Sequence, residues 1–148
     1  MLLGPGECVE FRRRIRKVLQ DDDEGLEAII MEDDIETKHE IRLDVKLQKI
    51  MERKEPLFIA FFLEEAKSME GVIFEIGCIC CKYSDSIRDR LMLLSNKGYD
   101  WSRRTPYMDN LIPRITTDYF DESSEHHKAS QRILNFAEGY TISRPDHL

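Results

Sequence analysis

Cysteine is the first residue type in this chain to suggest chemistry, because Cys78-Ile79-Cys80-Cys81 places three thiols within four positions. Structural zinc takes four ligands, usually as two separated pairs of the Cys-x-x-Cys kind. The other candidates are Cys8, His39, His126, His127 and His147, and none stands at a spacing that completes such a set. A free thiol packs as a small apolar group, so a run flanked by Ile76 and Ile79 predicts buried packing cysteines. Lys82 is the nearest cation, too little to mark an activated thiolate. No metal and no reactive thiol is expected.

The remaining chemistry-bearing patterns are missing as well. There is no Gly-x-Ser-x-Gly elbow, no glycine-rich phosphate loop and no His-Glu-x-x-His pair. Adjacent His126 and His127 on a helix point about 100° apart, one ring toward the core and one toward water. Glu64-Glu65 and Asp33-Asp34 read as solvated faces in so acidic a chain. The expectation is a non-enzyme with no catalytic residue, no cofactor and no metal site. What stands out is Tyr99-Asp100-Trp101-Ser102-Arg103-Arg104-Thr105-Pro106-Tyr107, which holds the single Trp, two Tyr and two Arg in a predicted loop. Those types are enriched at binding hot spots. Tyr99, Trp101, Arg103, Arg104 and Tyr107 are therefore the candidate partner-binding residues, with closure of the core by Trp101 and Tyr107 as the competing reading.

Composition narrows the partner. The 148 residues suit one domain, and 41% hydrophobic with 34% charged residues allows a core beneath a charged surface. A net charge of −7, from 29 acidic and 22 basic residues, opposes attraction to a phosphate backbone. The basic run Arg12-Arg13-Arg14-Ile15-Arg16-Lys17 is followed at once by Asp21-Asp22-Asp23-Glu24, and reads as a solvated helix face. No apolar run approaches the ~20 residues that span a bilayer, and the first residues lack a signal-peptide pattern. Another protein is thus the expected partner, rather than nucleic acid, a membrane or a small molecule. With no disulfide framework, the expected setting is intracellular, cytoplasm or nucleus.

Positioning these residues requires elements, and the periodicity predicts helices. Phe11, Ile15, Val18 and Leu19 make one stripe, and Leu26, Ile29 and Ile30 a shorter second. Thr37 and Glu40 form a capping box ahead of Leu43, Leu47, Ile50 and Met51. Pro56 opens a fourth, central helix over the all-apolar Leu57–Leu63. Val72–Cys81 suits a buried strand or helix and is read as helix. Ser84–Asn96 carries Ile87, Leu91 and Leu94 on one face, with Lys97-Gly98 as its stop. A short helix is expected within Pro106–Leu111, polar irregular chain over Thr116–Glu122, and a last helix on His126, Ser130, Ile133, Leu134 and Ala137, capped by Ser123 or Ser124 and stopped at Gly139. The predicted fold is all-α, one irregular helical domain over 1–148.

Several fragments resemble one another and a known family. Glu55-Pro56-Leu57-Phe58-Ile59-Ala60 resembles the Thr-Pro-Leu-His-x-Ala opening of an ankyrin repeat, and Arg104-Thr105-Pro106-Tyr107-Met108 restates it. Val72–Gly77, Leu93–Asp100 and Ile133–Tyr140 are similar to its second helix and terminal glycine. The glycines at 77, 98 and 139 lie 21 and 41 residues apart, against a family period of about 33. The resemblance implies a short stack of degenerate helix pairs in which Tyr99–Tyr107 is the extended, partner-facing loop. The expected function is a non-catalytic protein-interaction or scaffold module. The alternative is a compact α-helical regulator, such as a virus-encoded inhibitor of host signalling, that acts through a helical groove.

Overall fold

The computed structural model describes residues 1–22, 27–30, 33, 56–108, 110–120 and 126–142. In chain order these form β1 (Leu2–Leu3), α1 (Val9–Asp22), β2 (Phe58–Phe62), α2 (Glu70–Lys82), α3 (Ile87–Arg90), β3 (Leu91–Asn96), α4 (Trp101–Arg104), β4 (Thr116–Phe120) and α5 (His126–Ile142). Single 3₁₀ turns lie at Gly6–Cys8, Ser84–Ser86, Pro106–Met108 and Ile112–Arg114. The expected third helix, over Leu43–Met51, and the Ser123 and Ser124 caps lie outside the described residues.

Four strands pair side by side in the order β1-β2-β3-β4, and every pairing is parallel. Phe58 stands opposite Leu91 and Phe62 opposite Ser95; Met92 stands opposite Thr116. The architecture is α/β, which corrects the all-α expectation. The reason is chemical. Phe58-Ile59-Ala60-Phe61-Phe62 is buried at all five positions, and a strand covered on both faces reads as an unbroken apolar run. Periodicity cannot separate such a run from a buried helix, and the central helix expected over Leu57–Leu63 is instead β2.

The same ambiguity misassigned β3. Of the stripe Ile87, Leu91, Leu94, Ile87 opens a short helix, and Leu91 and Leu94 lie in a strand whose first four residues are buried. Thr116–Phe120, expected to be irregular, is β4. Ala28, Ile29 and Ile30 are buried but not helical. They lie along the outer side of β1, where the Leu2 N–H donates to the Ile29 carbonyl at 2.8 Å. The fragments that resembled ankyrin repeats dissolve accordingly: Pro56–Ala60 runs into β2, Leu93–Asn96 ends β3, and Gly139 sits inside α5. Helix α1 falls where its stripe placed it, and Val72–Cys81, a run that suited strand or helix and was read as helix, lies within α2.

Alternation along β2 sends Phe61 to one face and Phe58 and Phe62 to the other. On the first face the Phe61 ring meets Phe11 of α1 at 6.1 Å and Phe120 at 5.3 Å, both edge-on, while Phe11 stacks on Phe120 at 5.1 Å. Here α1 also packs against α5. On the second face Phe58 lies 6.0 Å from Tyr83, the residue that ends α2, and Phe62 lies beneath Trp101 at 4.6 Å. The chain thus leaves β1 toward one face and β2 toward the other, the doubly wound arrangement. No helix among the described residues is long and apolar enough to cross a membrane.

The basic run of α1 is only partly solvated. Arg13 donates from Nε and Nη2 to the two carboxylate oxygens of Asp33 at 2.9 and 2.7 Å, and Arg16 adds a third bond at 3.0 Å. These bonds, those from Arg13 foremost, hold the Asp33 carboxyl at about 2, below its value of ~3.9 in an unfolded chain. A depressed folded-state value stabilises above the unfolded one and is lost as pH falls. Asp33→Asn should therefore lower the melting temperature at neutral pH, with the gap to wild type closing between about pH 4 and pH 2. A gap constant across that range would show that the carboxylate charge is not what matters. In the core, Phe61→Ala should cost about 3–5 kcal/mol in urea unfolding, against under ~1 kcal/mol for Phe74→Ala on the exposed side of α2.

Candidate functional site at the carboxyl edge of the sheet

Parallel strands all end on the same edge, so the segments that follow β1, β2 and β3 must converge there. Those segments are Gly4–Cys8, Leu63–Met69 and Lys97–Asp100, with α4 directly after. The turn out of β3 is closed by the Tyr99 N–H donating to the Asn96 carbonyl at 3.0 Å. Its third residue is Gly98, at φ +88°, a conformation that glycine adopts without a Cβ penalty. Lys97-Gly98 is thus a true stop signal, although it stops a strand.

This turn delivers the Tyr99–Tyr107 segment to the edge, and the structure divides its five candidate residues. Tyr99 is buried, its ring 5.7 Å from Phe62 and 4.7 Å from Trp101. Burial pushes its phenol above the usual range, while Thr105 and Arg104 pull it back. Trp101 is half-buried on Phe62 and Tyr99. Arg104 donates to the carbonyls of Glu64 and Ala66, each at 2.6 Å. These three close the core and tie down the chain after β2. Arg103 is 63% exposed and pairs with Glu64 and, more loosely, with Asp100 at 3.8 Å. Tyr107 is 64% exposed. The predicted loop is largely α4, capped by Asp100, whose carboxylate accepts from the Arg103 N–H at 3.0 Å.

Glu64 and Glu65 are likewise more than a solvated pair. The Glu64 carboxylate accepts from the Asp100 N–H at 3.0 Å and from Arg103. Asn96, the last residue of β3, accepts from the Glu64 N–H at 2.9 Å and donates to Glu65 at 3.0 Å. The two loops are therefore clamped across the edge by charge-assisted bonds, roughly twice as strong as neutral ones.

Beside this clamp, at β1, lies a feature that the sequence reading missed. Arg12 is fully buried and donates to the carbonyls of Leu2 at 3.3 Å and Pro5 at 3.0 Å. Its guanidinium lies under the Gly4-Pro5-Gly6 turn. A Cβ at residue 4 would come within 2.9 Å of Arg12 Nε and of Cys8 Sγ, so only glycine fits over it. The signal was present as the spacing Cys8, Arg12, Ile15, Leu19, a buried stripe with an arginine in it. Glu75 is a parallel case, 8% exposed within the stripe Val72, Ile76, Ile79 of α2.

The cysteines divide too. Cys8 is buried, but Cys78 and Cys80 are half-buried and Cys81 is exposed, so the expected packing role holds only in part. Burial, then the neighbouring Cys81, pushes the Cys80 thiol up, away from the thiolate. Among the described residues no three His, Cys, Asp or Glu side chains gather closely enough to hold a metal ion. The side chains of His126 and His127 lie outside the described set.

The two arginines of α4 should separate in unfolding experiments. Arg104→Ala removes two bonds to half-buried carbonyls and should cost about 2–3 kcal/mol, whereas Arg103→Ala breaks exposed pairs worth under ~1 kcal/mol. Equal losses in urea titrations would contradict this division. Set against protein-family models, curated proteins and solved structures, the chain has no significant match among any of them.

Proposed function

We propose that this chain binds a small anionic ligand, such as a nucleotide or a sugar phosphate, at the carboxyl edge between β1 and β2. The observation that carries the reading is the buried Arg12 guanidinium beneath the Gly4–Gly6 turn, at the point where the chain departs to opposite faces of the sheet. In open α/β sheets that divergence leaves room between the loops, and ligands settle there. Helices α1 and α2 both begin at this edge, and the partial positive charge of a helix start favours an anion. Arg12 adds a full charge held in place by backbone carbonyls. Gly6 supports the reading further, because a Cβ there would meet nothing within 4 Å and the backbone stands open to an approaching group.

A protein partner is the second reading, and the exposure of both Arg103 and Tyr107 in one segment favours it. On that reading Arg103→Ala with Tyr107→Ala abolishes partner capture and leaves folding intact, since Trp101 and Arg104 are the structural members of the segment.

Melting curves and amide NMR spectra taken with a panel of phosphates, nucleotides and carboxylic acids test the first reading. A phosphate-bearing compound should raise the melting temperature and shift the amide signals of residues 4–8 and 63–66. Gly6→Asp should keep the unliganded stability within ~0.5 kcal/mol and remove the response, because a carboxylate then stands at the start of α1. No response from any anion, or an undiminished one in Gly6→Asp, would overturn the proposal.

A further inference from the structure

At the far side of the sheet, β4 pairs only with β3 among the described residues. In a parallel pair, alternate residues turn both their N–H and C=O away from the neighbouring strand, and at a sheet edge these groups are a template for another chain. Tyr119 is such a residue, and both of its groups are occupied. Its N–H donates to Asp118 Oδ1 at 2.8 Å, and its carbonyl accepts from Arg132 Nη1 at 3.0 Å. Arg132 Nε lies 3.3 Å from Asp118 Oδ2, and the guanidinium lies 4.6 Å from the centre of the Tyr119 ring. The contacts form a closed circuit from strand to side chain to α5 and back to the strand.

We infer that Asp118 and Arg132 guard the β4 edge and keep it from pairing with the β4 of a second copy of this chain. The strand beneath the guard is suited to such pairing. Its sequence Thr116-Thr117-Asp118-Tyr119-Phe120 is rich in β-branched and aromatic residues, and Tyr119 is 49% exposed. A two-fold axis beside the edge would bring two such strands together antiparallel, each supplying the same residues. Lysine and inward charge are common edge blockers. Here an arginine from the neighbouring helix takes the outward carbonyl directly.

Sedimentation equilibrium on wild type, Asp118→Ala with Arg132→Ala, and that double variant with Tyr119→Pro tests the guard. The double variant should double in mass relative to wild type. Proline at 119 removes the outward N–H without costing a bond to β3, and should return the mass to that of wild type. An unchanged mass in the folded double variant, association that survives Tyr119→Pro, or a wild type already of the doubled mass would overturn the inference. A readout that needs no variant is the exchange rate of the Tyr119 amide in wild type. Protection equal to that of the β4 amides bonded to β3 supports the guard, and exchange at the open-chain rate overturns it.

Discussion

The pairing of β2 with β3 takes two strands out of water on both faces at once, and much of the described fold follows from it. Phe58–Phe62 is buried throughout, as are Leu91–Leu94, so neither strand can turn a face or a peptide group to solvent. Every unpaired peptide group there would cost about 1–3 kcal/mol, which fixes β2 between two neighbours. Covering both faces then requires elements on each side. The phenylalanines divide accordingly, Phe61 toward Phe11 and Phe120, Phe58 and Phe62 toward Tyr83 and Trp101.

Parallel pairing has a second consequence, at the strand ends. Because the strands share a direction, the chain leaves each of them at one edge, and that edge collects charge that a helical bundle would have scattered. Glu64, Asp100, Arg103 and Asn96 spend their hydrogen-bonding capacity on one another and on the backbone. Arg12 is fully buried and donates to the backbone carbonyls of Leu2 and Pro5. The clamp lies beside β3, and the buried guanidinium of Arg12 lies under the Gly4–Gly6 turn beside β1, the side to which the ligand is proposed to bind.

How much of this could be read from the sequence depended on what each pattern measures. An amphipathic stripe reports one buried face, and α1 was legible from Phe11, Ile15 and Leu19 because it has one. Phe58–Phe62 has two buried faces and so carries no period, and its strand character was hidden. Leu91 and Leu94 stand three apart in a strand and mimicked a helical stripe. At the edge, the aromatic and arginine content of Tyr99–Tyr107 drew attention to a segment that begins just after β3. Composition could not tell Arg104, consumed by carbonyls of Glu64 and Ala66, from Arg103, left largely in solvent. Arg12 was hidden because a basic run suggests a solvated face, and only the four-three-four spacing from Cys8 to Leu19 betrays the buried member.

The central claim is that residues 58–62 and 91–96 form adjacent parallel strands. Nuclear Overhauser contacts in labelled protein test it most directly. The account requires strong sequential Hα-to-amide contacts along both segments, with cross-strand contacts in the register that places Ala60 beside Leu93. Strong successive amide-to-amide contacts through Leu57–Leu63, the pattern of a helix, would contradict it.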